Sequence, residues 1–323
     1  LLDNKTKPLG SLGVLEALAL RLGLILNSEA PQLQEPQILV YAADHGLAAH
    51  GVSAYPSDVT WQMVQNFLAG GAAINVLARQ HGLALQVVDC GVQRDFDSHF
   101  GLLDCKIAHG SADSLHAPAM SAEQCQQALS NGAQLLHGLP GNALILGEMG
   151  IGNTSAASLL MARLCGLPIT DCTGAGTGLD ADAIGRKAAI LQQVLDYHAK
   201  ATAPLDALAA LGGLEIATMV GSVLEAARQN RVIVVDGFIT TSAVLVAAQL
   251  QPAVLDRCVF AHCSGERGHA LLLAHLGVQP LLHLGLRLGE GSGAALAWPI
   301  LMSACAILGE MASFESAGIA QKN

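Results

Sequence analysis

Aromatic and charged side chains are scarce in this sequence. Only 3% of the 323 residues are aromatic and 13% are charged, whereas an average globular domain has about 25% charged residues. Hydrophobic residues make up 52%. A chain with so little charge leaves apolar surface uncovered, so we expect part of that surface to be buried in an oligomer. The abundance of Ala, Leu and Gly predicts close packing of helices against a sheet.

Clusters of lysine and arginine are also missing, and no aromatic residues alternate with basic ones. The net charge at neutral pH is −10. Nucleic-acid binding needs basic groups that neutralise phosphates, so we expect no nucleic-acid partner. An acidic protein can still bind a phosphate, but only locally, with backbone N–H groups and one or two cations.

Paired cysteines and the usual metal-ligand spacings are lacking as well. The eight cysteines form no CxxC motif, and most lie in apolar runs, which is typical of reduced thiols and predicts a cytoplasmic protein. His45 and His50 lie near Asp44, so a metal site is one interpretation of this segment, but no HExxH or comparable ligand spacing occurs and we interpret both as hydrogen-bonding side chains near a turn. We predict no metal and no cofactor.

Neither a signal peptide nor a membrane span is indicated. The N-terminus of the sequence shows no signal-peptide pattern. The longest apolar stretch, 294–308, contains Pro299 and Ser303 and is shorter than the roughly 20 residues that span a bilayer. This stretch is predicted to be a buried helix.

Short apolar runs that end in an acidic or polar residue, followed closely by glycine, recur along the chain. Most are rich in Val, Ile and Leu, and helix-like segments separate many of them, which predicts a parallel sheet covered by helices on both faces. The six runs are ILVYAADHG, LQVVDCG, ALILGEMG, VIVVDGF, CVFAHCSG and LLHLGLRLGEG.

The acidic residues at the ends of these runs are candidate site residues. Ligands of such sheets bind beyond the carboxyl ends of the strands, so these acids could converge on one crevice. They could equally cap the following helices or be solvated in loops. The residues are Asp44, Asp89, Glu148, Asp236 and Glu290.

No linker divides the chain, so residues 1–323 are predicted to form one domain. The N-terminal stretch reads as a loop followed by an amphipathic helix, residues 179–230 as mostly helical, and Ser121 with Gln124 as a variant of a capping box. We expect the N-terminal helices and part of the later helical material to form a small lobe beside the sheet.

Two glycine-rich turns suggest a phosphate cradle. Residues 147–160 follow a predicted strand and open a helix, where Asn153 and Thr154 can donate hydrogen bonds. Residues 173–187 form a second such turn, with Lys187 on the following helix. Neither turn matches a P-loop or a full dinucleotide fingerprint, and both could simply be tight turns.

Residues 41–78 hold much of the aromatic content of the chain. Tyr55, Trp61, Met63 and Phe67 could line a pocket for a flat apolar ring, or could belong to a helix that buries its own face. The stretch 261–269 adds Ser264 and Arg267, which could contact an anion or belong to a helix start with a solvated arginine.

Glu290 raises a question of its own. It lies between glycines in an apolar neighbourhood, where a carboxylate is costly unless it is paired, hydrogen-bonded or protonated. It is therefore either a structural acceptor or a working base.

Seven short motifs in a fixed order carry a resemblance to a known family. KPLGSLG, ADHG, GVSAYP, GEMGIGNT, DGF, AHCSGERG and RLGEGSGAAL span nearly the whole chain. The sequence strongly resembles the nicotinate-nucleotide–dimethylbenzimidazole phosphoribosyltransferases of cobalamin assembly. The resemblance implies a Rossmann-like parallel sheet with a small helical lobe, a homodimer, and transfer of phosphoribose from nicotinate mononucleotide to dimethylbenzimidazole, giving α-ribazole phosphate and nicotinate.

The resemblance also implies roles for individual residues. Glu290 of LGEGSG matches the catalytic base, and Glu148 of GEMG matches a second glutamate of the active site. The contacts of the ribose phosphate are expected at Gly150, Gly152, Asn153, Thr154, Gly174, Ala175, Gly176, Lys187 and Ser264, and those of the base at Tyr55, Met63 and Leu288. Some members have Ser and Gln at the places of Tyr55 and Met63, so related bases are candidate acceptors too.

Two other functions compete with this interpretation. A dinucleotide-dependent oxidoreductase predicts a full glycine fingerprint, which is missing. A regulatory protein that binds nucleotide without turnover predicts a phosphate cradle with no need for Glu290.

Overall fold

A six-stranded, wholly parallel sheet forms the centre of the computed structural model, which describes residues 1–176 and 178–320. The strands run in the order β3-β2-β1-β4-β5-β6, the order of a Rossmann-type doubly wound sheet. Their bounds are Gln37–Ala43 (β1), Ala84–Gly91 (β2), Leu102–Asp104 (β3), Ala143–Met149 (β4), Val232–Val235 (β5) and Cys258–Phe260 (β6).

Helices cover both faces of this sheet, as the sequence predicted. In chain order they are Val14–Ile25 (α1), Asp58–Leu68 (α2), Ala73–His81 (α3), Ala122–Gly138 (α4), Asn153–Cys165 (α5), Ile169–Cys172 (α6), Ala181–Tyr197 (α7), Pro204–Leu211 (α8), Leu214–Arg228 (α9), Phe238–Leu250 (α10), Arg267–Leu276 (α11), Ser292–Glu310 (α12) and Phe314–Ala317 (α13). The capping box at Ser121 forms at the start of α4.

Two hydrophobic cores, one on each face, follow from the alternation of side chains along β1. Leu39 and Tyr41 point into the core formed with α4, α5 and α8–α11, whereas Ile38 and Val40 point into the core formed with α1–α3 and α12. All seven residues of β1 are buried because the strand lies in the middle of a doubly covered sheet.

The prediction of six strands was wrong at one run. Residues 281–290 form no strand beyond one bridge between Leu282 and His262, and Gly285, Gly289 and Glu290 have positive φ angles that no regular strand accommodates. The sixth strand is instead β3, which the sequence analysis missed because it is three residues long and only partly buried.

The apolar stretch 294–308 lies within α12, as predicted. Among the described residues, α12 is the one helix long and apolar enough to cross a membrane by length and composition, and 56% of its apolar window is buried inside the protein. Such burial is typical of a core helix, and α12 packs against α1 and α3. The small lobe around α1 stays a prediction.

The strand order fixes where a ligand is expected. From β1 the chain continues to β2 and β3 on one side of β1, and then crosses back to β4 on the other side. β1 and β4 are therefore neighbours at which the strand order reverses. A crevice opens beyond the carboxyl ends of strands at such a point. The predicted site residues after β1, β4, β5 and β6 therefore meet at one edge of the sheet.

Candidate active site

A cleft lies at this carboxyl edge. Its walls come from four stretches, which are residues 148–154 after β4, 237–239 after β5, 262–266 after β6 and the extended segment 287–289, and from Gly176 of the second glycine turn. The enclosed part of the cleft has a volume of about 90 Å³, and the rest of it is open to solvent.

Glu148 lies in the wall of this cleft at the end of β4 and is 6% exposed. Its carboxylate accepts a hydrogen bond from the side-chain amide of Asn153, at the first turn of α5. Burial, together with the negative charges of Asp236, Glu215 and Glu290, raises the pKa of Glu148 to about 8 against the opposing effect of the Asn153 hydrogen bond. This carboxyl group is therefore mostly protonated at neutral pH.

Glu290 is 5% exposed and lies in the middle of three consecutive residues with positive φ, 80° for Gly289, 65° for Glu290 and 92° for Gly291. A glutamate in this conformation is strained, and such strain is typical of functional sites. The backbone of Glu290 lies directly on Gly147 of β4, where a Cβ atom would be 2.4 Å from its carbonyl oxygen. The glycines thus allow this turn to press against the strand that carries Glu148.

The carboxylate of Glu290 points toward the N-terminus of α3. Its Oε2 accepts a hydrogen bond from the Ile74 N–H at 3.4 Å. Burial raises the pKa of Glu290, and Asp236 raises it further, while the bond from Ile74 lowers it. A raised pKa suits a general base that works near neutral pH. Leu288 and Gly289, directly before it, line the cleft.

The predicted phosphate region adjoins Glu148 through Asn153. Gly152 has a φ of 97° and precedes Asn153 at the start of α5, whose free N–H groups favour an anion. The Nζ of Lys187 donates to the Oγ1 of Thr154 at 2.8 Å, and Gly150, Asn153 and Thr154 line the cleft. The structure brings these residues together.

Lys187 is a buried cation rather than a surface lysine, with 1% of its surface exposed. Burial lowers its pKa to about 8, while the charge of Glu266 raises it. The positive charge of Lys187 thus lies directly behind Thr154 of the cleft lining, where it favours an anion bound in the cleft.

The second glycine turn packs against this cation. Gly176 has a φ of 54°, and a Cβ atom there would be 3.5 Å from the Nζ of Lys187 and 3.1 Å from the Oγ1 of Thr154, so a side chain at this position would be strained and tightly packed. Gly174 lies against Glu266 in the same way, and Ala175 lies between the two glycines. Thr177, in the same predicted turn, lies outside the described residues.

Ser264 also lines the cleft, and its orientation is fixed from behind. Its Oγ lies 2.9 Å from the Nδ1 of His269, which also accepts the Ser264 N–H at 2.8 Å. The Nε2 of His269 lies 3.0 Å from the Oγ1 of Thr241. Burial lowers the pKa of His269 to about 3, so the ring is neutral and holds Ser264 by hydrogen bonds alone.

The five strand-end acids only partly converge. Glu148, Asp236 and Glu290 influence one another electrostatically. Asp236 also binds the N–H groups of Gly291 and Ala294, which caps the start of α12.

Asp44 and Asp89 follow the alternative interpretation as loop-holding side chains. Asp44 accepts from the Gln93 N–H, and Asp89 accepts from the Gly91 and Val92 N–H groups.

The aromatic segment is divided between core and surface. Phe67 is buried in the core, as the alternative interpretation of this helix held, and Trp61 stacks on Phe96. Tyr55 is 54% exposed, Met63 is half-buried against the core, and neither borders the cleft, whereas Leu288 does. The base-binding roles of Tyr55 and Met63 stay predictions.

Several residues near the site were missed by the sequence analysis. Glu266, Arg287 and His262 line the cleft, and Arg287 donates to the carbonyl of Gly176. Arg267, in contrast, is 64% exposed at its side chain and faces Asp171 at 3.5 Å, which fits the solvated-arginine interpretation. Arg287 lies just before the LGEGSG motif, but no spacing rule marks it.

A buried ion pair beneath the first glycine turn was also missed. The Nε2 of His45 lies 2.7 Å from the Oε1 of Glu215 at the start of α9. Burial lowers the pKa of His45, but the charge and hydrogen bond of Glu215 outweigh burial, so the pKa ends above its usual value. A Cβ atom at Gly150 would be 3.3 Å from this Nε2, so the pair supports the turn from below. Sequence gives no signal for a contact between residues so far apart.

Known proteins resemble this chain in sequence and in overall fold. A protein-family model described as phosphoribosyltransferase matches residues 1–319. Nicotinate-nucleotide–dimethylbenzimidazole phosphoribosyltransferases from Variovorax paradoxus and Cupriavidus necator are 68% and 58% identical, over 100% and 98% of this chain and 92% and 93% of theirs. The crystal structure of CobT from Thermus thermophilus is 41% identical, with a TM-score of 0.95 over 99% of this chain and 97% of that one.

Proposed function

Because the chain belongs to the phosphoribosyltransferase family and matches its nicotinate-nucleotide–dimethylbenzimidazole members over nearly its full length, we propose that it transfers phosphoribose between two nitrogen heterocycles. The donor is nicotinate mononucleotide, and the acceptor is dimethylbenzimidazole or a related base. The products are α-ribazole 5′-phosphate, which supplies the lower ligand of cobalamin, and nicotinate. The observation that carries this proposal is the placement of Glu148 in the wall of a cleft and of Glu290 directly after two residues that line it, with the buried Lys187 held behind Thr154.

The chemistry needs one base and little acid. The pyridinium ring of nicotinate mononucleotide leaves readily, because its ring nitrogen becomes neutral when the bond to the anomeric carbon breaks. One benzimidazole nitrogen attacks that carbon, and the N–H at the other nitrogen becomes acidic. In this proposal Glu290 accepts that proton, and its raised pKa matches the task.

The phosphate of the donor is assigned to the glycine turns. The N-terminus of α5, the Oγ1 of Thr154, the Nζ of Lys187 and the Oγ of Ser264 all border one region of the cleft or pack directly behind it. Backbone N–H groups and one cation suffice to hold a phosphate in a protein of net negative charge. A protonated Glu148 would hold Asn153 in place. Because it is neutral in this form, it would add no negative charge next to the phosphate of the donor.

The two competing functions are less well supported. The strand order permits dinucleotide binding, but neither glycine turn has the required spacing, and the matched relatives are transferases. Binding without turnover leaves the strained, buried Glu290 without a purpose.

A turnover assay tests the proposed function. Purified protein is incubated with nicotinate mononucleotide, with and without dimethylbenzimidazole, and nicotinate is quantified by chromatography. We expect nicotinate and α-ribazole phosphate in equal amounts, and only when the base is present. Nicotinate release without base, or binding of the nucleotide with no product, would contradict the proposal.

We also propose a homodimer and a cytoplasmic location. The dimer is supported by exposed apolar side chains on α1, among them Val14, Leu20 and Leu24. The location is supported by the eight free thiols.

A further inference from the structure

A cluster of side chains of the types that bind metal ions lies apart from the cleft. His50 ends the short 3₁₀ helix 46–50 that follows β1, and Asp113 and His116 lie in the loop before α4. The sequence offered no spacing that links these three residues. None of them lines the cleft, and the proposed transferase function uses none of them.

The three side chains are close enough to share one ion. The Nε2 of His50 lies 2.7 Å from the Oδ2 of Asp113, and the Nε2 of His116 lies 3.7 Å from the same oxygen. All three ligand atoms lie within 4.8 Å of one another. In a tetrahedral zinc site with bonds of about 2.0–2.1 Å, two ligand atoms are about 3.4 Å apart. The observed distances lie on either side of that value.

The backbone holds these ligands in place. Ser111 exchanges hydrogen bonds with Asp44 and Gly46, which ties the two loops together just before His50 and Asp113. The N–H groups of His116 and Ala117 both bind the carbonyl of Asp113, so a tight turn sets His116 above the aspartate.

The Nε2 of His50 and the Oδ2 of Asp113 share a hydrogen bond at 2.7 Å, which a bound metal ion would replace. The Oδ1 of Asp113 accepts from the Leu115 N–H, which leaves Oδ2 for the histidines. The imidazole of His116 is 71% exposed and can turn, while His50 and Asp113 are each 29% exposed. A small rotation of His116 would complete the arrangement.

We propose that His50, Asp113 and His116 bind one divalent transition-metal ion of the zinc class. Two imidazoles and one carboxylate suit Zn²⁺ and leave a fourth position for water. The ion would join the 46–50 helix to the 111–117 loop. That helix packs under the first glycine turn, where a Cβ atom at Gly152 would be 3.3 Å from the Cβ of Ala48. The metal would thus stiffen the support of the cleft without entering it.

Zinc binding to the purified, chelator-treated protein tests this site. Wild type is compared with H50A, D113N and H116A by equilibrium dialysis with Zn²⁺ and by thermal melting. We expect one equivalent of zinc with a rise in Tm for wild type, and at least tenfold weaker binding for each variant. H116A is the most direct variant, because His116 is exposed and its loss does not disturb the core.

H137A is the matched control. His137 is 60% exposed at its side chain and also pairs with one carboxylate, Glu225 at 3.0 Å, but is in no such three-residue group among the described residues. We expect H137A to bind zinc like wild type. Failure of wild type to retain zinc, equal binding by H116A, or an equal loss in H137A would overturn the proposal. The outcome is independent of the turnover assay, since no substrate is present.

Discussion

Glu290 has a backbone conformation that glutamate rarely adopts, between two glycines that adopt it freely. The left-handed region costs a residue with a Cβ atom about 1–2 kcal/mol. The turn that contains Glu290 lies on Gly147 and against Glu148, and the glycines on both sides of the contact leave the space for this close approach. The turn therefore places the carboxylate in a dry position at a cost to stability, which suits a catalytic role better than a structural one.

Replacement of Glu290 by glutamine tests that role. E290Q keeps the size of the side chain and removes the proton acceptor, so we expect nicotinate release to fall by at least about a hundredfold, within the usual range for loss of a general base. The wild-type rate should rise with pH through the raised pKa of Glu290, because only the ionised carboxylate accepts the proton.

E310Q serves as the control, because Glu310 is an exposed glutamate at the end of α12. It should retain full activity. Circular dichroism should show the same fold in both variants. Near-normal turnover by E290Q would contradict the assignment of the base.

Glu148 links the site to the pH dependence of stability. Its pKa is about 8 in the folded protein and near the ordinary 4.5 after unfolding, so the folded state holds an extra proton between these values. The contribution of this group to stability is full below pH 4.5 and is lost as the pH rises through 8. Relative to E148Q, the unfolding free energy of wild type should fall by about 3 kcal/mol from pH 5 to pH 8.

Urea denaturation at pH 5, 6, 7 and 8 measures this difference. E148Q removes only the titration, since glutamine can still accept the Asn153 hydrogen bond. A difference between wild type and E148Q that stays constant over this range would show that Glu148 is ionised in the folded protein.

At the scale of elements, α4 and α9 are joined through glycines. A Cβ atom at Gly221 of α9 would be 2.0 Å from the Leu129 carbonyl oxygen, and one at Gly132 of α4 would be 1.9 Å from the Thr218 carbonyl oxygen. The two helices therefore touch backbone to backbone. This contact supports the start of α9, where Glu215 meets His45 under the glycine turn.

An alanine at Gly221 should separate these helices. We expect G221A to lower the unfolding free energy by about 1–3 kcal/mol or more, because there is no space for the methyl group of alanine. G185A is the matched control: Gly185 lies inside α7 with nothing within 4 Å of its Cβ position, so alanine should stabilise the protein by about 0.5–1 kcal/mol. Equal effects of the two substitutions in chemical denaturation would refute this view of the helix contact.

Elements with clear periodicity were predictable from the sequence, and those defined by backbone geometry were not. The buried runs of β1 and β4 and the start of α4 at Ser121 follow local rules. Residues 281–290 look like a strand by composition, but their shape depends on positive φ angles that hydrophobicity does not encode. The three-residue β3 is too short to give a pattern.

For the whole molecule, the low charge content predicted an apolar surface, and α1 has one. Leu20 and Leu24 are 54% and 68% exposed. We expect wild type to sediment as a dimer and the double variant L20E/L24E to sediment as a monomer at the same concentration, because charge on this face opposes its burial. L271E on α11, also at an exposed leucine, should remain a dimer. A dimeric L20E/L24E would place the contact elsewhere, and a monomeric wild type would contradict the dimer itself.

The fold as a whole was more predictable than the site. Motifs at the strand ends pointed to one edge of the sheet, and the resemblance supplied the reaction. Contacts between distant residues, such as His45 with Glu215 and Ser264 with Thr241 through His269, depend on packing that no local pattern reveals.

The strand order has a consequence for synthesis on the ribosome. Residues of β1 pair with β4 residues about a hundred positions later, so β2 can pair with β1, and β3 with β2, long before β4 has emerged. During that interval one edge of β1, a wholly apolar strand apart from Gln37, has no neighbour to cover it. The nascent chain therefore exposes an aggregation-prone strand edge that later becomes the centre of the sheet. We expect a chaperone to bind the incomplete chain until β4 has been synthesised.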